Sequence, residues 1–65
     1  MNGKVFDENN QLIAQYFDVS VQIDHLLGQV TFYNSGDECW SYHNFKKILI
    51  SQDEKEIIVY ERSLN

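Results

Sequence analysis

Reactive side chains are few and scattered in this sequence. Cys39 is the single thiol, His25 and His43 are the two imidazoles, and there are five serines. Nucleophilic catalysis needs a serine or cysteine within hydrogen-bond reach of a base. Cys39 and His43 stand four positions apart. A helix would bring them to one face. Trp40-Ser41-Tyr42 between them reads as strand, where four residues span about 13 Å. No serine sits in the strand-to-helix elbow that exposes a nucleophile. Cys39, beside Trp40, is expected to pack as a small apolar residue. Structural zinc wants four convergent ligands, usually Cys or His pairs at close spacing. His25, Cys39 and His43 do not supply them, so no metal is expected.

The carboxylates point the same way. Asp7, Glu8, Asp18, Asp37, Glu38, Asp53 and Glu54 fall in turn-like stretches, the usual solvated surface of a small domain. A pair of carboxylates doing acid–base work needs a cleft, and a chain this short leaves little room for one. No calcium-loop spacing is present. Gly3, Gly28 and Gly36 are isolated, so no glycine-rich phosphate cradle exists and no cofactor is expected. These observations point away from an enzyme.

What positions these residues is a chain of 65 amino acids, room for one domain spanning 1–65. Apolar residues make up 43% and nine are aromatic rings, enough core material to exclude a disordered chain. A domain of this size buries only about 60% of its unfolded surface. Domains this small usually gain stability from a staple or a partner, although some fold alone. One cysteine cannot staple a monomer. A homodimer, or docking on a larger protein, is the expected remedy. The lone thiol and the absence of an apolar leader predict a reducing compartment and a cytoplasmic location. The apolar runs reach three or four residues, against the roughly 20 of a spanning helix, so no membrane partner is expected. The formal net charge is −5 and Lys46-Lys47 is the only basic pair. Phosphate neutralisation needs clustered cations, so direct nucleic-acid binding is disfavoured.

Polar clusters punctuate the chain at short intervals, the signature of many short strands. The first strand is expected over 3–7, with a turn at 8–10 and a returning arm over 11–17. On that arm Leu12, Ala14 and Tyr16 share one face, and Ile13 and Phe17 the other. Residues 19–24 alternate without fault, with Val19, Val21 and Ile23 on one side. The same stretch also fits helical spacing through Leu26, Leu27 and Val30, with Asp18 as cap and Gly28 past the end. The run of β-branched residues favours strand. Strands are also expected over 30–34 and 38–42, joined as a hairpin by the strong turn signal Asn34-Ser35-Gly36-Asp37. A corner with room for one helical turn lies at 43–47, then strands at 48–51 and 56–62 around a charged turn, and a frayed end at 63–65.

The expected fold is mainly β: a small antiparallel meander curled into a barrel or a two-layer sandwich. Parallel crossovers are excluded for want of chain length. The expected core is Val5, Leu12, Val19, Val21, Ile23, Val30, Phe32, Trp40, Ile48, Ile50, Ile57 and Val59. A meander cannot bury nine rings. Ile13, Phe17, Tyr33, Ile58 and Tyr60 are therefore the candidate contact residues of a non-catalytic protein-interaction module acting through an edge strand and an exposed aromatic and aliphatic face. The alternative is an acidic inhibitor, such as a mobile-element or phage product, that blocks a basic nucleic-acid-binding surface. That mechanism requires carboxylates in ordered rows.

Overall fold

A computed structural model describes residues 1–62. The frayed end expected at 63–65 lies outside them. The described chain forms seven strands: β1 (Asn2–Phe6), β2 (Leu12–Tyr16), β3 (Ser20–Asp24), β4 (Gln29–Tyr33), β5 (Cys39–His43), β6 (Phe45–Ile50) and β7 (Glu56–Glu61). Residues 20–24 extend, as their β-branched run predicts, and the helical alternative is not taken. Nor is the helical turn at 43–47. Asn44 alone, at φ 60°, breaks the chain between β5 and β6. An asparagine tolerates that left-handed backbone at low cost.

Polar side chains at the strand exits build the turns. The Asp7 carboxylate accepts the amides of Asn9 (2.8 Å) and Gln11 (2.9 Å). Asn34 Oδ1 accepts Gly36 and Glu38 at 2.8 and 3.0 Å. Asp24 Oδ1 accepts Leu26 and Leu27 at 3.0 and 3.1 Å. A left-handed residue then returns the chain in each hairpin: Asn10, Gly28, Asp37 and Glu54 all have φ between 58° and 67°. A turn closed by one left-handed residue is a common way to match a short hairpin loop to the twist of its strands.

The strands make two sheets, ordered β2-β1-β7-β6 and β3-β4-β5. They pack as a two-layer sandwich; the barrel does not close. The second sheet is a plain antiparallel meander, and its β4–β5 hairpin sets Val30 opposite Tyr42 and Phe32 opposite Trp40. The first sheet overturns one expectation. β1 and β7 pair in parallel, with Val5 opposite Val59. A parallel pair cannot be joined by a tight turn, and the chain is long enough after all: the intervening strands themselves form the connection, carrying it through the other sheet and back.

Alternation then sorts the side chains. Val5, Ile57 and Val59 of one sheet and Val30 and Phe32 of the other are fully buried between the layers, with Val19 beside them. Ala14, Tyr16, Val21, Ile23, Trp40, Tyr42 and Ile48 pack around this core. Two expected core residues are not in it. A bulge between Val5 and Phe6 pairs Leu12 with Phe6 on the outer face, leaving Leu12 49% exposed. One extra residue in a strand reverses the face of the residues beyond it. Ile50 does face inward, opposite Ile57, but at the end of edge strand β6 it stays 51% exposed. Gly3 permits the closest approach of the layers. A Cβ there would overlap Cε1 of Phe32 and stand 3.0 Å from its Cδ1.

Candidate protein-docking surfaces

The two long sides of the sandwich differ. On one side Tyr16 of β2 closes against β5: its ring lies 4.9 Å from Trp40, 4.8 Å from Phe32 and 6.3 Å from Tyr42 between centroids. The Tyr16 and Tyr42 hydroxyls hydrogen-bond to each other. Burial, and then that hydrogen bond, push the Tyr42 phenol well above the ordinary tyrosine range. A group whose folded pKa is raised contributes stability that is complete below the unfolded value, near pH 10, and lost as pH climbs past it. Denaturant midpoints are therefore expected to hold up to about pH 10 and to fall progressively above it, less steeply for Tyr42→Phe. An identical fall in both chains would rule this origin out.

The other side is open. A cleft of about 460 Å³ runs between β3 and β6, lined among the described residues by Met1, Val19, Val21, Ile23, Ile50 and Ile57, with Ser20 as their one polar companion. Among the described residues, β3 pairs with β4 alone and β6 with β7 alone, so both walls of the cleft are free strand edges. The edges are not alike. β2 carries a bulge, and β6 has a register break at Phe45–Lys47 together with two lysines. Such features blunt an edge against further pairing. β3 is a regular five-residue strand, Ser-Val-Gln-Ile-Asp, without bulge, lysine or proline.

The sequence-predicted contact residues scatter around this frame. Ile58 and Tyr60 share the outer face of the four-stranded sheet. Ile58 sits between Lys4 and Leu49, and Tyr60 between Phe6 and Lys47. Tyr60 is already occupied: Phe6 stacks on it at 5.3 Å and Lys47 Nζ stands 4.6 Å from its ring centre. Ile13 is the extra residue of the β2 bulge, and Phe17 lies just beyond β2, both exposed. Tyr33 is on the outer face of the other sheet, where its hydroxyl donates to Gln22 Oε1 at 2.9 Å. The five do not form one patch. Sequence reasoning missed the cleft, although two features pointed to it: an Ile-Leu-Ile strand apolar on both faces, and a β3 strand apolar on one.

The groups with chemistry in them also stand apart. Cys39 is exposed, not packed, because β5 pairs it with Tyr33 on the outer face while Trp40 turns inward. His43 is on the same strand opposite Gln29, and His25 sits in the β3–β4 turn with its ring edge-on to Phe45 at 6.3 Å. Among the described residues, no three His, Cys, Asp or Glu side chains gather where a metal ion could sit. The outer face of the three-stranded sheet is a polar ladder, with Thr31 bonded to Ser41 at 3.0 Å. Asp24 is the one acid on that face, so the carboxylates do not form rows there. Among the described residues, no helix is long and apolar enough to cross a membrane. No protein-family model, curated protein or solved structure matches this chain.

Proposed function

We propose that this domain is a non-catalytic protein-interaction module that receives an extended partner segment along β3. The observation that carries this reading is the pairing of a regular, unblunted strand edge with an apolar cleft beneath it. An added strand would take main-chain hydrogen bonds from β3 and send every second side chain into the cleft between Ile23 and Ile50. The flanking charge gives the partner its chemistry. Asp18 and Asp24 bracket β3, and the sequence from Val5 to Phe45 contains no lysine or arginine. The matching segment alternates apolar with basic residues. The exposed, unpaired Cys39 fits a reducing, cytoplasmic setting for this role.

The test uses two synthetic strands of about eight residues, one alternating valine with lysine and one valine with glutamate. Amide shifts from Ser20 through Asp24 are monitored by NMR. The lysine peptide is expected to perturb this strand and the glutamate peptide is not. Ile50→Lys is expected to weaken binding by about tenfold or more, through a charge placed in an apolar cleft. Ile50 is half exposed, so the variant keeps its fold. Unmoved β3 amides, or equal binding by the Ile50→Lys chain, would refute the reading. Light scattering on the free protein shows whether a second copy fills the cleft instead.

A further inference from the structure

A separate cavity of about 280 Å³ opens where β1 turns into β2. Among the described residues, its walls carry Asp7 and Glu8 from that turn, Lys46 and Lys47 from β6, and Tyr60 and Glu61 from β7. Three carboxylates and two ammonium groups thus border one space. We infer that this cavity binds a small molecule with two cationic groups and one carboxylate, the charge pattern of a dibasic α-amino acid such as free arginine.

The backbone gathers these groups against the ordinary pattern of a strand. Consecutive side chains of a regular strand point to opposite faces. In β6, Phe45 pairs with Glu61 and Lys47 with Tyr60, so Lys46 is an extra residue with none opposite it. A bulge of this kind re-aims a side chain, and bulges are over-represented beside functional sites. Here it sets both lysines on the same cavity. Two of the charged groups are also held in place. Lys47 Nζ stands 4.6 Å from the centre of the Tyr60 ring, and Phe6 stacks on that ring at 5.3 Å. The Asp7 carboxylate is fixed by the amides of Asn9 and Gln11, both on Oδ1, which leaves Oδ2 for a ligand.

Opposite charges around one cavity could cancel by pairing with each other. Among the described residues, none of these five does so; the ion pair that forms, Lys4 with Glu56 at 3.9 Å, lies elsewhere. Both signs therefore remain to meet a ligand. Three carboxylates against two ammonium groups leave the lining with one negative charge in excess. A plain anion is disfavoured by that balance, and a simple zwitterion leaves one wall carboxylate unanswered. Two cations and one carboxylate complete the pattern, with the lysines on the ligand carboxylate and the acids on its cations. A concave site focuses such fields more strongly than open surface does. Its volume falls just below the range of about 300–1,000 Å³ that holds drug-sized ligands, which suits a single amino acid. The cavity shares no lining residue with the β3 cleft, so the two readings stand separately.

The experiment follows the backbone amides of the full chain by NMR during titration with three ligands. These are arginine, agmatine, which lacks the carboxylate, and Nα-acetylarginine, which lacks the α-ammonium group. Arginine is expected to shift the amides of Asp7, Glu8, Lys46, Lys47 and Glu61 along one saturating curve, with a Kd of about 1 mM or tighter. Each truncated ligand is expected to bind at least about fivefold more weakly, because one charged hydrogen-bonding group is gone. Lys46→Gln/Lys47→Gln should bring arginine down to the level of agmatine without weakening agmatine itself. Glu61→Gln should weaken all three ligands. Both changes keep side-chain size, and amide dispersion reports whether each variant is folded; the comparison among ligands on the unaltered chain decides the matter without them. Shifts that never saturate, or agmatine or Nα-acetylarginine binding as tightly as arginine, would overturn the inference. So would a folded lysine double variant that still prefers arginine to agmatine.

Discussion

Replacing Gly3 with alanine is expected to cost about 2–3 kcal/mol, the upper part of the usual range for overpacking a filled core. In a domain this small that lowers the thermal midpoint by roughly 10–20 °C. The cause is local. Gly3 lies on the inner face of β1, paired with Tyr16 on one side and Ile57 on the other. The Phe32 ring of the facing sheet rests directly on it. Phe32 is fully buried and also stacks on Tyr16, so neither ring nor strand can yield without disturbing neighbours. A smaller partner should make room. Phe32→Leu leaves a cavity in the native chain, yet in the Gly3→Ala background it relieves the overlap. The double variant is therefore expected to be more stable than the sum of the single losses predicts. Thermal melts of the four chains give the coupling. Strict additivity, or a Gly3→Ala chain within about 0.5 kcal/mol of wild type, would show that the layers are not in contact there.

A chain ending at Lys55 is expected to be unfolded, and a peptide of residues 56–62 added in trans should restore the fold. In a simple meander the final strand is an edge, and its loss leaves the rest of the sheet paired. Here β7 is central, between β1 and β6. Its removal takes Ile57 and Val59 from the core, each worth about 1.5–3 kcal/mol in burial, and strips both neighbours of their hydrogen-bonding partner. The core of so small a domain supplies only some 3–5 kcal/mol in total, so nothing is left to hold the β1–β2 hairpin and β6 on the other sheet. Far-UV circular dichroism and amide dispersion before and after peptide addition decide the matter. A native-like spectrum from the shortened chain would mean that β1 and β7 do not pair.

Both predictions concern contacts between segments distant in the chain, which is where sequence reasoning is weakest. Residues 19–24 alternate so regularly that β3 is legible residue by residue. The turn at 34–37 and the charged turn at 52–55 are legible from side chains that bond their own backbone. Ile57 and Val59 inward, with Ile58 and Tyr60 outward, also come from alternation alone. The docking surfaces were less readable. Ile58 and Tyr60 are expected on a shared outer face, and they are found there. That Phe6 and Lys47 cover Tyr60, and that Tyr33 lies on the opposite sheet, depends on which strands are neighbours.

Local pattern is enough to set most of the strand limits and which face of each regular strand is apolar. These properties come from backbone sterics and a repeat of two, both contained within a few residues. The parallel β1–β7 pair, the bulge that turns Leu12 outward, the exposure of Cys39 and the cleft left open between β3 and β6 arise at the level of the folded molecule. Each depends on the register and adjacency of segments far apart in the chain. One residue of slip or one exchange of neighbours changes them while leaving every local pattern intact.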